Sequence, residues 1–246
     1  NLVAGGVREL VLIAQDLTWY GLDLTGQREL AHLLDRLSAE SGAAWIRLQY
    51  AYPGQFPLEI LPLIRERENL CRYLDMPLQH ASDNMLKAMK RQITRQEMKD
   101  LIGEIRSRIP GICLRTTLIA GFPGETREDV EEVKAFLAEM QFDRVGIFTY
   151  SHEEDTSAHA LEDSLSAEEK EERAQEIIEF QQEISFEKNQ AKIGQTLKVI
   201  VDKKEAGRYI GRTEFDSPDV DNEVLIDASK FYLKTGDFVN LKIINK

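Results

Sequence analysis

The sequence predicts an α/β fold: a partial barrel of parallel strands wrapped by helices, followed by a small antiparallel β-barrel. Two observations carry this. As far as Tyr150, short β-branched apolar runs alternate with amphipathic helical stretches, and crossovers of that length bring strands into a parallel sheet. Beyond Gly194 the pattern changes to short strand-like runs separated by Gly, Asp, Asn and Pro, as expected of a compact antiparallel unit. The expected domains are 1–165 for the partial barrel, 166–191 for a connecting helix and 192–246 for the small barrel, with the boundary near Lys192.

Each element has its own signal. Arg8 to Ala14 (RELVLIA) reads as a buried strand, followed by a polar loop to Gly26. Leu30, Leu33, Leu34 and Leu37 recur at helical spacing between Gln27 and Glu40. Ala44 to Tyr50 is the second strand, and Pro53, Gly54 and Pro57 end it. A short helix to about Glu68 follows, with Pro62 restricting where it begins. Leu70 to Leu78 is the third strand. Ser82 suits the N-cap of a helix carrying Met85, Leu86 and Met89 on one face, and a further helix covers Thr94 to Arg108. Ile112 to Ile119 is the fourth strand. A helix from Arg127 to Met140 follows, with the capping-box spacing Thr126-x-x-Asp129, and Arg144 to Tyr150 is the fifth strand. After a loop over Asp155 to Ser164, the long helix opens on Ser166-x-x-Glu169. It carries an apolar stripe of Ile177, Phe180 and Ile184, and ten carboxylates face two basic residues between Glu162 and Glu187, so it reads as a connecting helix with a solvated face. Thr196–Val201, Arg208–Arg212, Val224–Asp227 and Asp237–Ile244 are the last strands.

The chemistry concentrates after the fourth strand. Gly121-Phe-Pro-Gly124 is a turn between a strand and a helix, the place where parallel barrels bind ligands. Its glycines would let the backbone approach a ligand, Phe122 could stack on a flat group, and Arg115 and Glu125 could fix a charged one. An ordinary connection without a ligand fits the same residues. Arg115 is the only charge in its strand and needs a partner or a cavity.

Composition narrows the classes. A net charge of −12 disfavours general nucleic-acid binding and suits a basic protein partner. No apolar run approaches the ~18 residues of a membrane span, so a soluble protein is expected. Cys71 and Cys113 fall in expected buried strands and read as small core residues rather than ligands. Few cysteines and the absence of a secretory signal favour the cytosol. The chain does not begin with Met and opens on what reads as the end of a helix, from which an upstream segment is expected.

Five motifs, in order, carry a family resemblance: ELVLIAQDLTWYG, IRLQYAYP, LDMPLQHASD, TTLIAGFPGET and GRTEFDSPDVDNEVLI. Together they resemble the radical S-adenosylmethionine methylthiotransferases across essentially the whole chain, the last looking like that family's TRAM barrel. Gln79-His80 and the acidic Ser151 to Asp155 are more similar to the branch that methylthiolates an aspartate of small-subunit ribosomal protein S-twelve than to the tRNA-modifying branch. The residues argue the same way: six carboxylates and one arginine between Arg212 and Asp227 would repel phosphates and attract a basic protein. Asp216, Asp219, Asp221 and Glu223 are expected to crowd on one exposed loop as the substrate-docking surface.

The resemblance implies S-adenosylmethionine and two 4Fe-4S clusters, one held by C-x-x-x-C-x-x-C. Cys71 and Cys113 match none of that spacing, so no metal ligand is assigned here and the polypeptide alone is expected to be inactive. By position, the cofactor-binding candidates are Gln15, Gln79, Ser82, Arg115, Thr117, Gly121, Phe122, Pro123, Gly124, Glu125 and Phe148, all expected near carboxyl ends of strands. A strand-end hydrogen bond or a helix cap explains each equally well. His80, His152 and His159 read as surface or structural groups. Two readings outside the family remain open: a barrel enzyme using the glycine turn as a phosphate cradle, and a non-catalytic module docking through its acidic faces.

Overall fold

A computed structural model of the chain describes residues 1–154 and 156–245. Five strands, β1 (Glu9–Leu12), β2 (Trp45–Leu48), β3 (Leu70–Asp75), β4 (Cys113–Ala120) and β5 (Arg144–Thr149), pair in parallel in the order of the sequence. The helices between them are α1 (Leu22–Thr25), α2 (Leu30–Glu40), α3 (Ile60–Glu66), α4 (Asp83–Ala88), α5 (Arg95–Arg108) and α6 (Arg127–Met140). After β5 comes α7 (Ala167–Gln190). Strands β6 (Thr196–Glu205), β7 (Arg208–Thr213), β8 (Val224–Asp227) and β9 (Phe238–Lys242) then form a curled antiparallel sheet in the order β8-β7-β6-β9.

The helix starts follow their local chemistry. Thr94, Thr126 and Ser166 each accept a hydrogen bond from the third residue of their helix, whose carboxylate bonds back to the cap. Pro62 is the third residue of α3, where its missing N–H would have had no partner. The stretch read as a polar loop before Gly26 contains two short helical turns, Leu17–Trp19 and α1. Asp16 nucleates the first by accepting from the backbone N–H of Thr18 at 2.9 Å and from its hydroxyl at 2.8 Å.

Alternation along the parallel strands sorts two faces. Ile46, Leu48, Leu70, Leu74, Leu114 and Leu118 pack under the helices in the main core. On the other face Trp45, Cys71, Tyr73 and Cys113 pack against Ile200, Phe215 and Phe238 of the C-terminal sheet, with the Trp45 and Phe238 rings edge-on at 4.9 Å. The C-terminal module therefore covers the inner face of the parallel sheet.

Charges are buried at the same junction. Glu9 accepts from Arg47 at 2.8 Å and also pairs with Arg212. Arg47 is fully buried and donates through Nη1 to the carbonyl of Glu214 at 2.8 Å. Arg144 binds Asp216 at 2.8 Å. Helix α7 is more than a connector. Besides the expected Ile177 and Ile184 it buries Lys170, Arg173, Ala174 and Gln181, while Glu172 and Glu176 on its outer side pair with Arg127.

Removing Glu9 would leave two buried guanidiniums short of a counter-charge. Glu9→Ala is expected to cost about 3–5 kcal/mol, the range for breaking a buried pair from one side. Chemical denaturation of the wild type and variant measures this.

Candidate site at the carboxyl ends of the strands

Three successive strands of the parallel sheet end in residues with left-handed backbone. These are Tyr50 after β2 (φ 61°), Gln79 after β3 (φ 74°) and Gly121 after β4 (φ 77°). For a side-chain-bearing residue this conformation costs on the order of 1–3 kcal/mol and persists only where neighbours enforce it. They do so here. The N–H of Tyr50 reaches the Asp75 carboxylate at 3.3 Å, and its carbonyl accepts from Leu17 at 3.0 Å. Gln79 exchanges backbone bonds of 2.8 Å with Thr117 and Ile119.

Beneath this rim lies a buried, hydrogen-bonded polar cluster. Both oxygens of the buried Glu125 accept from the N–H of Gly121 at 3.0 Å. Arg173 of α7 donates to the Glu125 side chain at 2.9 Å and to its carbonyl at 2.7 Å. The imidazole of His80 faces Glu125 through Nε2 at 3.3 Å, and its Nδ1 accepts from the N–H of Ser82 at 2.9 Å. The second bond fixes the tautomer: Nδ1 is the acceptor, so Nε2 carries the proton toward Glu125. Ser82 donates to Asp129, whose other oxygen caps Thr126. Burial pulls the Asp129 carboxyl upward, but the hydrogen bonds from Ser82 and Thr126 outweigh it and hold it below the ordinary carboxylate range.

The expected cofactor residues divide into three groups. Gln15, Gly124 and Phe148 are exposed and Gln79 is half-buried, so all four are open at the rim. Ser82, Gly121, Phe122, Pro123 and Glu125 are buried and shape the turn. Phe122 was expected to stack on a flat group; it is buried edge-on against Tyr150 at 5.1 Å. Gly121 was expected to allow a ligand close. A Cβ there would instead meet Lys170, at 2.8 Å from its Cβ and 3.2 Å from its Cα, so the glycine makes room for α7. Gly124 has open space around it.

Arg115 and Thr117 were expected near the strand end, but they sit lower, on the inner face of β4. Arg115 lies in register with Asp75 and Arg144. Its guanidinium binds Asp75 at 2.9 Å and Asp221 at 3.5 Å. Burial opposes its charge, yet the two carboxylates raise its pKa overall.

The acidic turn also departs from expectation. Asp219 and Glu223 are exposed, but Asp216 is buried under Arg144 and the side chain of Asp221 is fully buried. Asp221 accepts from the Tyr73 hydroxyl at 2.7 Å and from the Ser217 N–H at 2.8 Å. The loop is tacked onto the inner face by two of its four acids, because the arginines of β4 and β5 point there. Of the acidic segment after β5, Asp155 lies outside the described residues.

His80, Asp129 and Arg173 are members of the cluster that the sequence reading left unassigned to any site. The Thr126-x-x-Asp129 spacing was the one local signal. Arg173 comes from 48 residues beyond Glu125, with no local pattern to reveal it.

Cys71 and Cys113 do not fit an iron-sulfur cluster. Both are buried in the junction with the C-terminal sheet, and burial pushes the Cys71 thiol up to about 12, away from the thiolate a metal needs. Among the described residues no group of three or more His, Cys, Asp or Glu side chains is placed to hold a metal ion.

An open parallel (β/α) sheet, a glycine turn at its carboxyl ends and a C-terminal antiparallel module together define a class. The radical SAM superfamily profile matches residues 4–137, and the chain belongs to that superfamily. A TRAM domain profile matches residues 193–246. More particularly, the chain is 56% identical over 244 residues to the ribosomal protein uS12 methylthiotransferase RimO of Flavobacterium johnsoniae, covering 99% of this chain and 56% of that protein. It is 54% identical to RimO of Cytophaga hutchinsonii, again over 99% of this chain and 56% of the relative. The RimO of Bacteroides thetaiotaomicron is 51% identical over 98% of this chain and 56% of its own length. The chain thus spans little more than half of these curated relatives. Among solved structures, coproporphyrinogen III oxidase (HemN) from Escherichia coli shares the fold, with a TM-score of 0.59 at 16% identity, over 85% of this chain and 55% of that one.

Two outcomes are expected. Gly124→Ala, strained only in φ, should cost about 1–2 kcal/mol, whereas Gly121→Ala adds an overpacking penalty of about 1–3 kcal/mol against α7; thermal unfolding of both variants separates them. Asp129, with a depressed folded pKa, contributes stability that is present above its unfolded value and lost as pH falls through the folded one. The stability gap between wild type and Asp129→Asn should therefore be full at neutral pH and shrink below about pH 4, as read by denaturation across pH.

Proposed function

We propose that this chain is the barrel and TRAM portion of a cytoplasmic radical SAM methylthiotransferase, which adds a methylthio group to an aspartate of ribosomal protein uS12. The observation that carries this is identity of 51–56% to proteins so named, running through both the barrel and the C-terminal module. No helix among the described residues is long and apolar enough to cross a membrane.

S-adenosylmethionine fits the rim by donor set. The amides of Gln15 and Gln79 offer donors and acceptors for ribose or amino acid groups, Phe148 offers an aromatic face for the base, and Gly124 leaves backbone accessible. Bound there with the family's two 4Fe-4S clusters, S-adenosylmethionine would supply a radical that opens the substrate carbon to sulfur. This chain's own residues orient the cofactor and keep the turn in shape. Glu125, held by Gly121, His80 and Arg173, fixes the turn. Phe122, Pro123 and Ser82 fill the space behind it. Arg115 and Thr117 brace β4 from the inner face. For the substrate, the exposed Asp219 and Glu223 attract a basic ribosomal protein, while Asp216 and Asp221 secure the loop that bears them. Direct nucleic-acid binding is disfavoured by the net charge of −12.

The test uses the protein containing this chain, isolated without oxygen and loaded with both clusters, then incubated with reductant, a sulfur source, S-adenosylmethionine and either uS12 or tRNA. Mass spectrometry should show a methylthio group on a uS12 aspartate and none on tRNA. Modification of a tRNA adenosine instead would assign the protein to the tRNA branch. Gln79→Ala should weaken S-adenosylmethionine binding about tenfold in calorimetry, the value of one good hydrogen bond, with the fold unchanged by circular dichroism.

A further inference from the structure

Of the three left-handed residues that end strands at the rim, Tyr50 alone carries a ring (φ 61°). Alternation along β2 sends Ile46 and Leu48 into the main core, while Arg47 and Gln49 reach the C-terminal module at Glu214 and Ser217. One more regular step would take Tyr50 into the core beside Leu48. The chain turns left-handed there instead, and Tyr50 is 44% exposed while Ala51 enters that core. The ring forgoes burial, and its backbone is kept strained by the Asp75 carboxylate on its N–H and the Leu17 N–H on its carbonyl. Glycine would adopt this conformation without strain. Packing does not account for a tyrosine here, so the ring points to a use outside the fold.

The ring is also unoccupied. At the same end of the sheet other rings already carry a cation of this chain: Arg28 over Trp19 at 5.6 Å, Arg91 over Tyr52 at 5.2 Å and Lys170 over Tyr150 at 5.1 Å. Among the described residues no cation lies over Tyr50 and no side chain bonds its hydroxyl. Strand β2 lies between β1 and β3, so Tyr50 ends the strand between those that lead to Gln15 and Gln79, the two amides proposed for the cofactor. Those amides, with Gly124 and Phe148, are all uncharged. They answer the ribose, amino acid and base of S-adenosylmethionine and leave its sulfonium without a partner. An aromatic face attracts a cation within about 6 Å through the negative potential of the ring.

We propose that Tyr50 is a cofactor-binding residue whose ring face receives the sulfonium of S-adenosylmethionine. This rests on the cofactor reading of the rim given above and adds a discrimination to it. S-adenosylmethionine differs from the thioether S-adenosylhomocysteine by one methyl group and the positive charge it places on sulfur. A ring at this position favours the charged form over the neutral one, whereas the amides serve both alike.

The test measures binding of S-adenosylmethionine and S-adenosylhomocysteine by calorimetry, on the cluster-loaded protein containing this chain. Tyr50→Leu should weaken S-adenosylmethionine about tenfold, as expected of a desolvated cation–π contact, and leave S-adenosylhomocysteine unchanged. Tyr50→Phe, which keeps the ring, should keep both affinities. The strain is read separately: Tyr50→Gly should unfold about 2–4 °C above Tyr50→Ala, since both lack the ring and only glycine relaxes the left-handed backbone. Equal losses for the two ligands in Tyr50→Leu, no loss at all, or a Tyr50→Phe variant as weak as Tyr50→Leu would overturn the assignment. So would an unchanged S-adenosylmethionine affinity with a raised KM for uS12, which would give the ring to the protein substrate, or a glycine variant no more stable than the alanine one. Failure of the wild type to bind S-adenosylmethionine would instead overturn the cofactor reading itself.

Discussion

The structure depends on a set of charges taken out of water between two sheets. Glu9 stands between Arg47 and Arg212, Asp216 under Arg144, and Arg115 between Asp75 and Asp221. Apolar packing of Trp45, Tyr73, Ile200 and Phe238 surrounds them. Buried pairs add little net stability over an apolar core, but they are intolerant of a wrong fit. Their effect here is registry: each carboxylate has one place at which its arginine is waiting, so the module can sit on the sheet in one way.

That registry reaches the candidate site. Asp75 binds Arg115 on one side and the N–H of Tyr50 on the other, which ties the inner face to a left-handed residue at the rim. Helix α7 contributes from outside, with Arg173 on Glu125 and Lys170 against Gly121. The turn that looks like a self-contained strand–glycine–helix motif is thus completed by a helix beyond the superfamily match, which ends at residue 137.

Much of this was legible in the sequence. The five parallel strands, the capping boxes at Thr126 and Ser166 and the last four strands follow from periodicity and local side-chain chemistry, which act over a few residues. The errors share a cause. Phe122, Gly121 and the acids at 216 and 221 were read as facing a ligand or solvent, and each faces a distant part of the chain. A one-dimensional pattern shows that a glycine is needed or that acids cluster; it does not show what stands opposite. Arg115 was the informative case: a lone charge in an apolar strand demanded a partner, and it has two.

The separation between Glu125 and Arg173 has a temporal side. A ribosome adds about 5–20 residues each second, so the guanidinium that completes the glycine turn follows its carboxylate by roughly 2–10 s. Glu9 waits longer, since Arg212 lies 203 residues downstream. Through that interval the nascent barrel carries a carboxylate and an apolar inner face that nothing yet covers. The order of synthesis therefore makes the last quarter of the chain the lid of the parallel sheet made before it, and the growing polypeptide is most in need of protection just before its final strands emerge.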